Sequence, residues 1–134
     1  MDVTGHRQFV YVTAYEGNIA ARNALEAAGR KVDFHSLPRV IFTSPTFAAA
    51  GPTDGEANAQ GFKCECRVLP MSAVPRALVN RDTQGFMKIV AEAGTGKILG
   101  ASMVADGAGD VIHSAVLGAG ITLQPLPAFS TIKG

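Results

Sequence analysis

The sequence predicts an α+β fold in which an antiparallel β-sheet is flanked by helices. Two β-prone segments, 86–93 and 97–105, are joined by a glycine-rich connection of hairpin length. The second segment is apolar on both faces, which is typical of a central strand. Residues 110–119 carry apolar side chains at helical spacing, so they predict a helix that covers one face of the sheet. We expect the other face to need a partner.

The N-terminal residues predict one helix. Apolar residues of segment 17–28 recur at helical spacing, and Gly29 is positioned to end the helix. The preceding segment, 8–12, is compatible with a strand or with the start of this helix. We favour a helix that begins at about Tyr11.

A boundary is predicted near residue 36. Charged residues and glycine precede it, and Leu37-Pro38 follows it. We therefore divide the chain into a helical N-terminal arm, 1–36, and a main domain, 37–134.

Two short strands and a short helix open the main domain. Residues 39–43 predict a strand that a proline ends, and residues 46–50 predict a second strand. Thr53 and Glu56 have the spacing of a capping box, in which each side chain bonds the backbone of the other residue. A brief helix should therefore begin at Asp54.

Composition narrows the classes of function. The chain has 134 residues, of which 47% are hydrophobic and 17% charged, as expected for one ordered domain. Its net charge of +1 provides no broad field for nucleic acid, which we do not expect as a partner. No membrane span or signal peptide is recognised, so we expect no membrane association and a cytoplasmic location.

The two cysteines are predicted to lie on one face of a strand. Residues 62–69 alternate between an apolar face, which includes Cys64 and Cys66, and a largely charged face. Two such thiols could bind a soft metal ion, but no histidine has a recognisable ligand spacing from them; the histidines are His6, His35 and His113. We favour thiols that pack as small buried apolar groups, with a thiophilic metal site as the alternative. A disulfide is unfavourable, because the Cα atoms of two cysteines that lie two residues apart on a strand are near the upper limit of the distance that a disulfide can bridge.

Several stretches of the main domain resemble a known family. They are Leu37 to Pro45, Gly51 to Ala57, Val74 to Val90 and Gly96 to Gly100. These residues are similar to the C-terminal dimerisation domain, or interface domain, of pyridine nucleotide-disulfide oxidoreductases, and most similar to that of mercuric reductases. The resemblance implies an antiparallel sheet with flanking helices and a homodimer interface. It also implies FAD and NADPH as cofactors of the intact family.

The resemblance bears on cofactor binding by this chain. The resemblance implies that the arm, 1–36, is a remnant of the end of the family's flavin-binding domain. Within it, Asp2 resembles the end of the flavin-contacting motif, which makes it the candidate cofactor-binding residue. The family's two Gly-x-Gly-x-x-Gly loops are not recognised in this sequence, and residues 94–97 join two strands rather than a strand and a helix. We therefore expect no cofactor for this chain alone.

No catalytic residue is predicted. Residues 127–134 resemble a shortened form of the segment with which this family completes the partner's active site, but Ala128 replaces a proton-transfer residue and Lys133 replaces a glutamate. A serine, histidine and aspartate set of Ser114, His113 and Asp110 is also disfavoured, because neighbouring residues of a helix point in different directions.

We favour a noncatalytic dimerisation domain that forms a homodimer. The alternatives are a part of an FAD- and NADPH-dependent oxidoreductase that is active only with a flavin-bearing chain, and a thiophilic metal-binding module at Cys64 and Cys66.

Overall fold

The chain divides into two units, Met1–Phe34 and His35–Gly134. A computed structural model describes residues 3–6, 8–35 and 37–118. The first unit contains α1 (Val10–Glu26), which agrees with the helical interpretation of segment 8–12. The helix ends before Gly29, because Ala27 already has the left-handed conformation with φ 49°. Asn23 fixes the segment that follows by exchanging two hydrogen bonds, of 2.8 and 2.9 Å, with the backbone of Arg30.

The second unit is built on a five-stranded antiparallel sheet, which confirms the predicted fold class. In the order β1-β2-β5-β4-β3, the strands are β1 (Arg39–Ile41), β2 (Phe47–Ala50), β5 (Ile98–Val104), β4 (Phe86–Glu92) and β3 (Cys64–Pro70). The predicted β4–β5 hairpin is present, and its turn has positive φ at Gly94 and Gly96, of 86° and 69°. The strands β1 and β3 form the two edges of the sheet.

Between residues 37 and 118 this unit contains three helices: α2 (Asp54–Ala59), α3 (Pro75–Asn80) and α4 (Ala108–Gly118). The helix α2 begins at Asp54, as predicted, and both halves of the capping box form. The Thr53 hydroxyl accepts from the Glu56 amide at 3.3 Å, and the Glu56 carboxylate accepts from the Thr53 amide at 2.8 Å. A 3₁₀ turn, Met71–Ala73, precedes α3, so the connection between β3 and β4 is largely helical.

The core lies on both faces of the sheet, with β5 at its centre. On one face, α4 packs on β2 and β5 through a cluster of buried residues: Ala48, Ala50, Ala101, Met103, Ala105, Ala108 and Ile112. On the other face, Ala57 of α2 packs with Val90 and Leu99, so the centre of this face, which was expected to need a partner, is covered by the chain itself. Gly100 allows this close approach, since a Cβ there would collide with the carbonyl oxygen of Pro52. The central strand is therefore covered on both faces, as its sequence predicts.

Candidate functional site

The helix α4 leaves one half of its face of the sheet open. The cross-strand pairs Leu69–Met87 and Met87–Met103 place these three side chains on the same face. Met103 is 5% exposed, whereas Leu69 on the edge strand is 45% exposed. Burial therefore falls along this row, from the strand beneath α4 to the edge of the sheet.

An open groove runs between α4 and β4 on this face. It has a volume of about 250 Å³, and its main apolar lining is Met87, Ile89, Met103, Val111, Ile112 and Ala115. Ile89 is 37% exposed and Val111 46% exposed. Within the described residues, large aliphatic side chains thus face water on both sides of the groove. An apolar surface of this kind is typical of a protein interface.

The thiol pair lies on the opposite face, next to α2. The Cys64 thiol donates to the side-chain oxygen of Asn58 at 3.3 Å and is 3.7 Å from the carbonyl oxygen of Asp54. Cys64 is half-buried, but Cys66 is exposed. The expectation that both thiols pack as small buried groups is therefore wrong for Cys66, because α2 covers only the first part of β3.

An ion pair joins α2 to β4 beside the thiols. The Lys88 ammonium donates to the Asp54 carboxylate at 2.6 Å. This hydrogen bond lowers the pKa of Asp54 and raises the pKa of Lys88. Partial loss of water raises the pKa of the Cys66 thiol, the Asp54 charge adds to the rise, and Lys88 opposes it. No local sequence pattern predicts this pair; its only signal is a lysine within a largely apolar strand.

The structure does not assemble the other candidate residues into a site. His113 is exposed on α4, and its Nδ1 lies 2.9 Å from the carbonyl oxygen of Gly109 on the same helix, rather than beside Ser114 or Asp110. His6 belongs to the first unit, where it pairs with Glu16. His35 is exposed. Among residues 3–6, 8–35 and 37–118, no three histidine, cysteine, aspartate or glutamate side chains form a metal-binding group.

Some predicted positions lie outside the described residues. They are Asp2, the candidate flavin contact, and Ala128 and Lys133, the replaced family positions. Residues 94–97 form the β4–β5 turn, so the interpretation as a hairpin rather than a phosphate loop is confirmed. None of the described helices is both long enough and apolar enough to span a membrane.

Comparison with known proteins connects the sheet to a family. Residues 37–129 match the family described as pyridine nucleotide-disulphide oxidoreductase, dimerisation domain. The chain belongs to this family. The chain is 53% identical over 116 residues to a mercuric reductase from Bacillus cereus, covering 87% of this chain and 18% of the relative. It is 49% identical over 127 residues to a mercuric reductase from Streptomyces lividans, covering 93% of this chain and 27% of the relative.

Solved structures agree with this assignment. The HOCl-induced flavoprotein disulfide reductase RclA from Escherichia coli superposes with a TM-score of 0.78 at 27% identity, covering 98% of this chain and 34% of that chain. LpdA from Mycobacterium tuberculosis gives a TM-score of 0.77 at 25% identity, covering 90% of this chain and 26% of that one. The chain therefore spans about a fifth to a third of the length of these relatives.

Proposed function

We propose that this dimerisation domain self-associates as a homodimer, and that the open groove forms part of the contact. The supporting observation is the groove itself: Ile89 and Val111 remain 37% and 46% exposed beside an otherwise buried core. Burying such side chains against a second copy would contribute about 25 cal/mol for each Å² of apolar surface removed from water. The match of residues 37–129 to a dimerisation domain supports association as the role of this unit.

The test is the mass of the chain in solution. Sedimentation equilibrium between 2 and 100 µM should give twice the 13.9 kDa chain mass at the upper end. Ile89→Asp places a charge in the groove and should weaken association at least about 100-fold, since burying an unpaired charge costs several kcal/mol. Val79→Asp is the matched control, because Val79 is exposed on α3 and does not line the groove. A monomeric mass at 100 µM would contradict the proposal, and so would equal weakening by the two variants.

We also propose that the chain does not catalyse alone. The support comes from the resemblance of residues 127–134 to the family's active-site segment, in which Ala128 and Lys133 replace the proton-transfer residue and the glutamate. Purified chain should show no flavin absorbance near 450 nm and should not oxidise NADPH when a thiol complex of mercuric ion is added. Either signal would overturn this part of the proposal. The Asp2 contact and the cytoplasmic location stay predictions.

A second candidate is a part of an FAD- and NADPH-dependent oxidoreductase that works with a flavin-bearing chain. This candidate is favoured because the chain is 53% and 49% identical, over most of its length, to two mercuric reductases. Adding the chain to a flavin-bearing fragment of such a reductase should then restore NADPH oxidation that neither part shows alone. Persistent inactivity of a complex that does form would leave association as the function.

A further inference from the structure

Cys64 and Cys66 form a pair of free thiols on one face of an edge strand. They are two residues apart on β3, and their cross-strand partners on β4 are Glu92 and Val90. Because side chains alternate along a strand, both sulfurs project on the side that carries α2. The strand β3 lies at the edge of the sheet, and Cys66 is exposed, so an ion can reach the pair from water.

The spacing favours a bridging ion over a disulfide. Two residues of an antiparallel strand advance by about 6.8 Å, whereas the Cβ atoms of a disulfide lie about 3.8 Å apart. Two thiolates that bind one ion in a line, at about 2.3 Å each, have sulfurs about 4.6 Å apart. Each sulfur then needs to lean only about 1 Å toward the other, which rotation about the side-chain bonds provides.

The neighbouring groups define the kind of ion. The Asn58 side-chain oxygen, 3.3 Å from the Cys64 sulfur, orients this thiol. Within the described ranges, no third histidine, cysteine or carboxylate completes a metal-binding group, so the ligands of a tetrahedral zinc site are not assembled there. Thiolates select Cu(I), zinc and iron–sulfur clusters. Structural zinc and iron–sulfur clusters take four protein ligands, so two thiolates alone suit Cu(I), a soft ion that accepts two.

We propose that Cys64 and Cys66 bind one Cu(I) ion between their two sulfurs. Two S–H bonds break and two Cu–S bonds form, so that one Cu⁺ and two thiols give a bis-thiolate complex of charge −1 and release two protons. No electron is transferred. The charged groups on this face are Lys88, its ion-pair partner Asp54, and Glu92, the cross-strand partner of Cys64. The positive charge of Lys88 is already balanced by Asp54, so the two sulfurs themselves have to supply the binding energy. Both thiols have to lose their protons to bind the ion, so the affinity should rise with pH.

The test is an anaerobic titration of the reduced full chain with Cu(I) against a chromophoric chelator such as bicinchoninate. We expect one ion for each chain and an affinity that rises about 100-fold for each pH unit below the thiol pKa values, because two protons are released. Cys64→Ser and Cys66→Ser should each lower the affinity at least about 100-fold, since each removes one of two ligands. Circular dichroism should show that both variants remain folded.

A matched variant tests whether binding depends on the arrangement of the two thiols or only on their number. The double change Cys66→Ser with Arg67→Cys keeps two cysteines but places the second on the opposite face of β3. It should bind as weakly as the single variants. Three results would overturn the proposal: undiminished binding by the double variant, undiminished binding by a single variant, and half an ion for each chain with a doubled mass, which would mean that the ion bridges two copies.

Discussion

The two halves of the sheet share one hydrogen-bonded ladder but differ in how their side chains are covered. On β2 and β5, beneath α4, Ala48, Ala50 and Met103 are at most 5% exposed. On the edge strand β3, Leu69 and Val68 are 45% and 59% exposed, although every residue from Cys64 to Pro70 pairs with β4. Strand pairing therefore extends further than the hydrophobic core, and the half with less cover is the half that offers both candidate sites.

The contact between β4 and β5 connects these halves, and Gly85→Ala should disrupt it most strongly. Gly85 has φ 102°, and a Cβ there would collide with the carbonyl oxygen of Val104 on β5. Backbone strain and overpacking each cost about 1 to 3 kcal/mol, so we expect urea denaturation to show a loss of about 4 kcal/mol. Gly61→Ala is the control, because its φ is 87° but its Cβ would face open space; it should cost about 1 kcal/mol. Equal losses would mean that the collision is relieved.

The difference in cover predicts a difference in the cost of truncation. Ile112 is 2% exposed in the core beneath α4, so Ile112→Ala should lower the free energy of unfolding by about 3 kcal/mol. Ile89 is 37% exposed, so the same change there should cost less than about 1.5 kcal/mol when measured at a concentration at which the chain is monomeric. Similar costs at that concentration would show that the groove is covered within a single chain.

The cover on the α2 side depends on the capping box. Thr53→Ala removes the hydroxyl that accepts from the Glu56 amide, and should lower the free energy of unfolding by about 1 kcal/mol. Thr53→Ser keeps the hydroxyl and should cost less than about 0.5 kcal/mol. If the two variants are equally destabilised, the methyl group of Thr53 and not its capping bond is the important feature.

Local chemistry explains which elements the sequence could predict. The capping box and the β4–β5 hairpin depend on residues three or four apart, and both form where predicted. The helix α4 follows from its apolar spacing, and the structure extends its start from residue 110 to Ala108. The predicted strand 62–69 begins at Cys64, and the predicted strand 39–43 ends at Ile41.

The remaining features depend on contacts between distant residues. Alternation along β3 predicts which side chains share a face, but it does not predict that α2 packs beside Cys64 and leaves Cys66 exposed. The order of the strands places β2 beside β5, which no local pattern specifies. The Asp54–Lys88 pair joins residues that are 34 apart in the chain, so neither residue alone indicated it.

Removal of the Asp54–Lys88 ion pair should have the smallest effect on stability among these predictions, and this effect should depend on pH. The bond from Lys88 lowers the pKa of Asp54, so its contribution to stability is present above the unfolded pKa of about 3.9 and is lost as the pH falls through the lower folded pKa. Asp54→Asn should therefore be slightly less stable than the parent chain at pH 7, and the two melting curves should converge toward pH 3.

Lys88→Met is the matched partner change. The pKa of Lys88 is raised, so its contribution is present below the unfolded pKa of about 10.4 and is lost as the pH rises through the higher folded pKa. Because Asp54 and Lys88 are partly exposed, at 46% and 23%, 1 M NaCl should weaken the effect of either change at pH 7. A difference between Asp54→Asn and the parent chain that persists unchanged at pH 3 would exclude the ion pair as its cause. The Asp54 carboxylate also interacts with the helix dipole in the first turn of α2. This interaction cannot explain a difference that persists at pH 3 either, because it too is lost when the carboxyl is protonated.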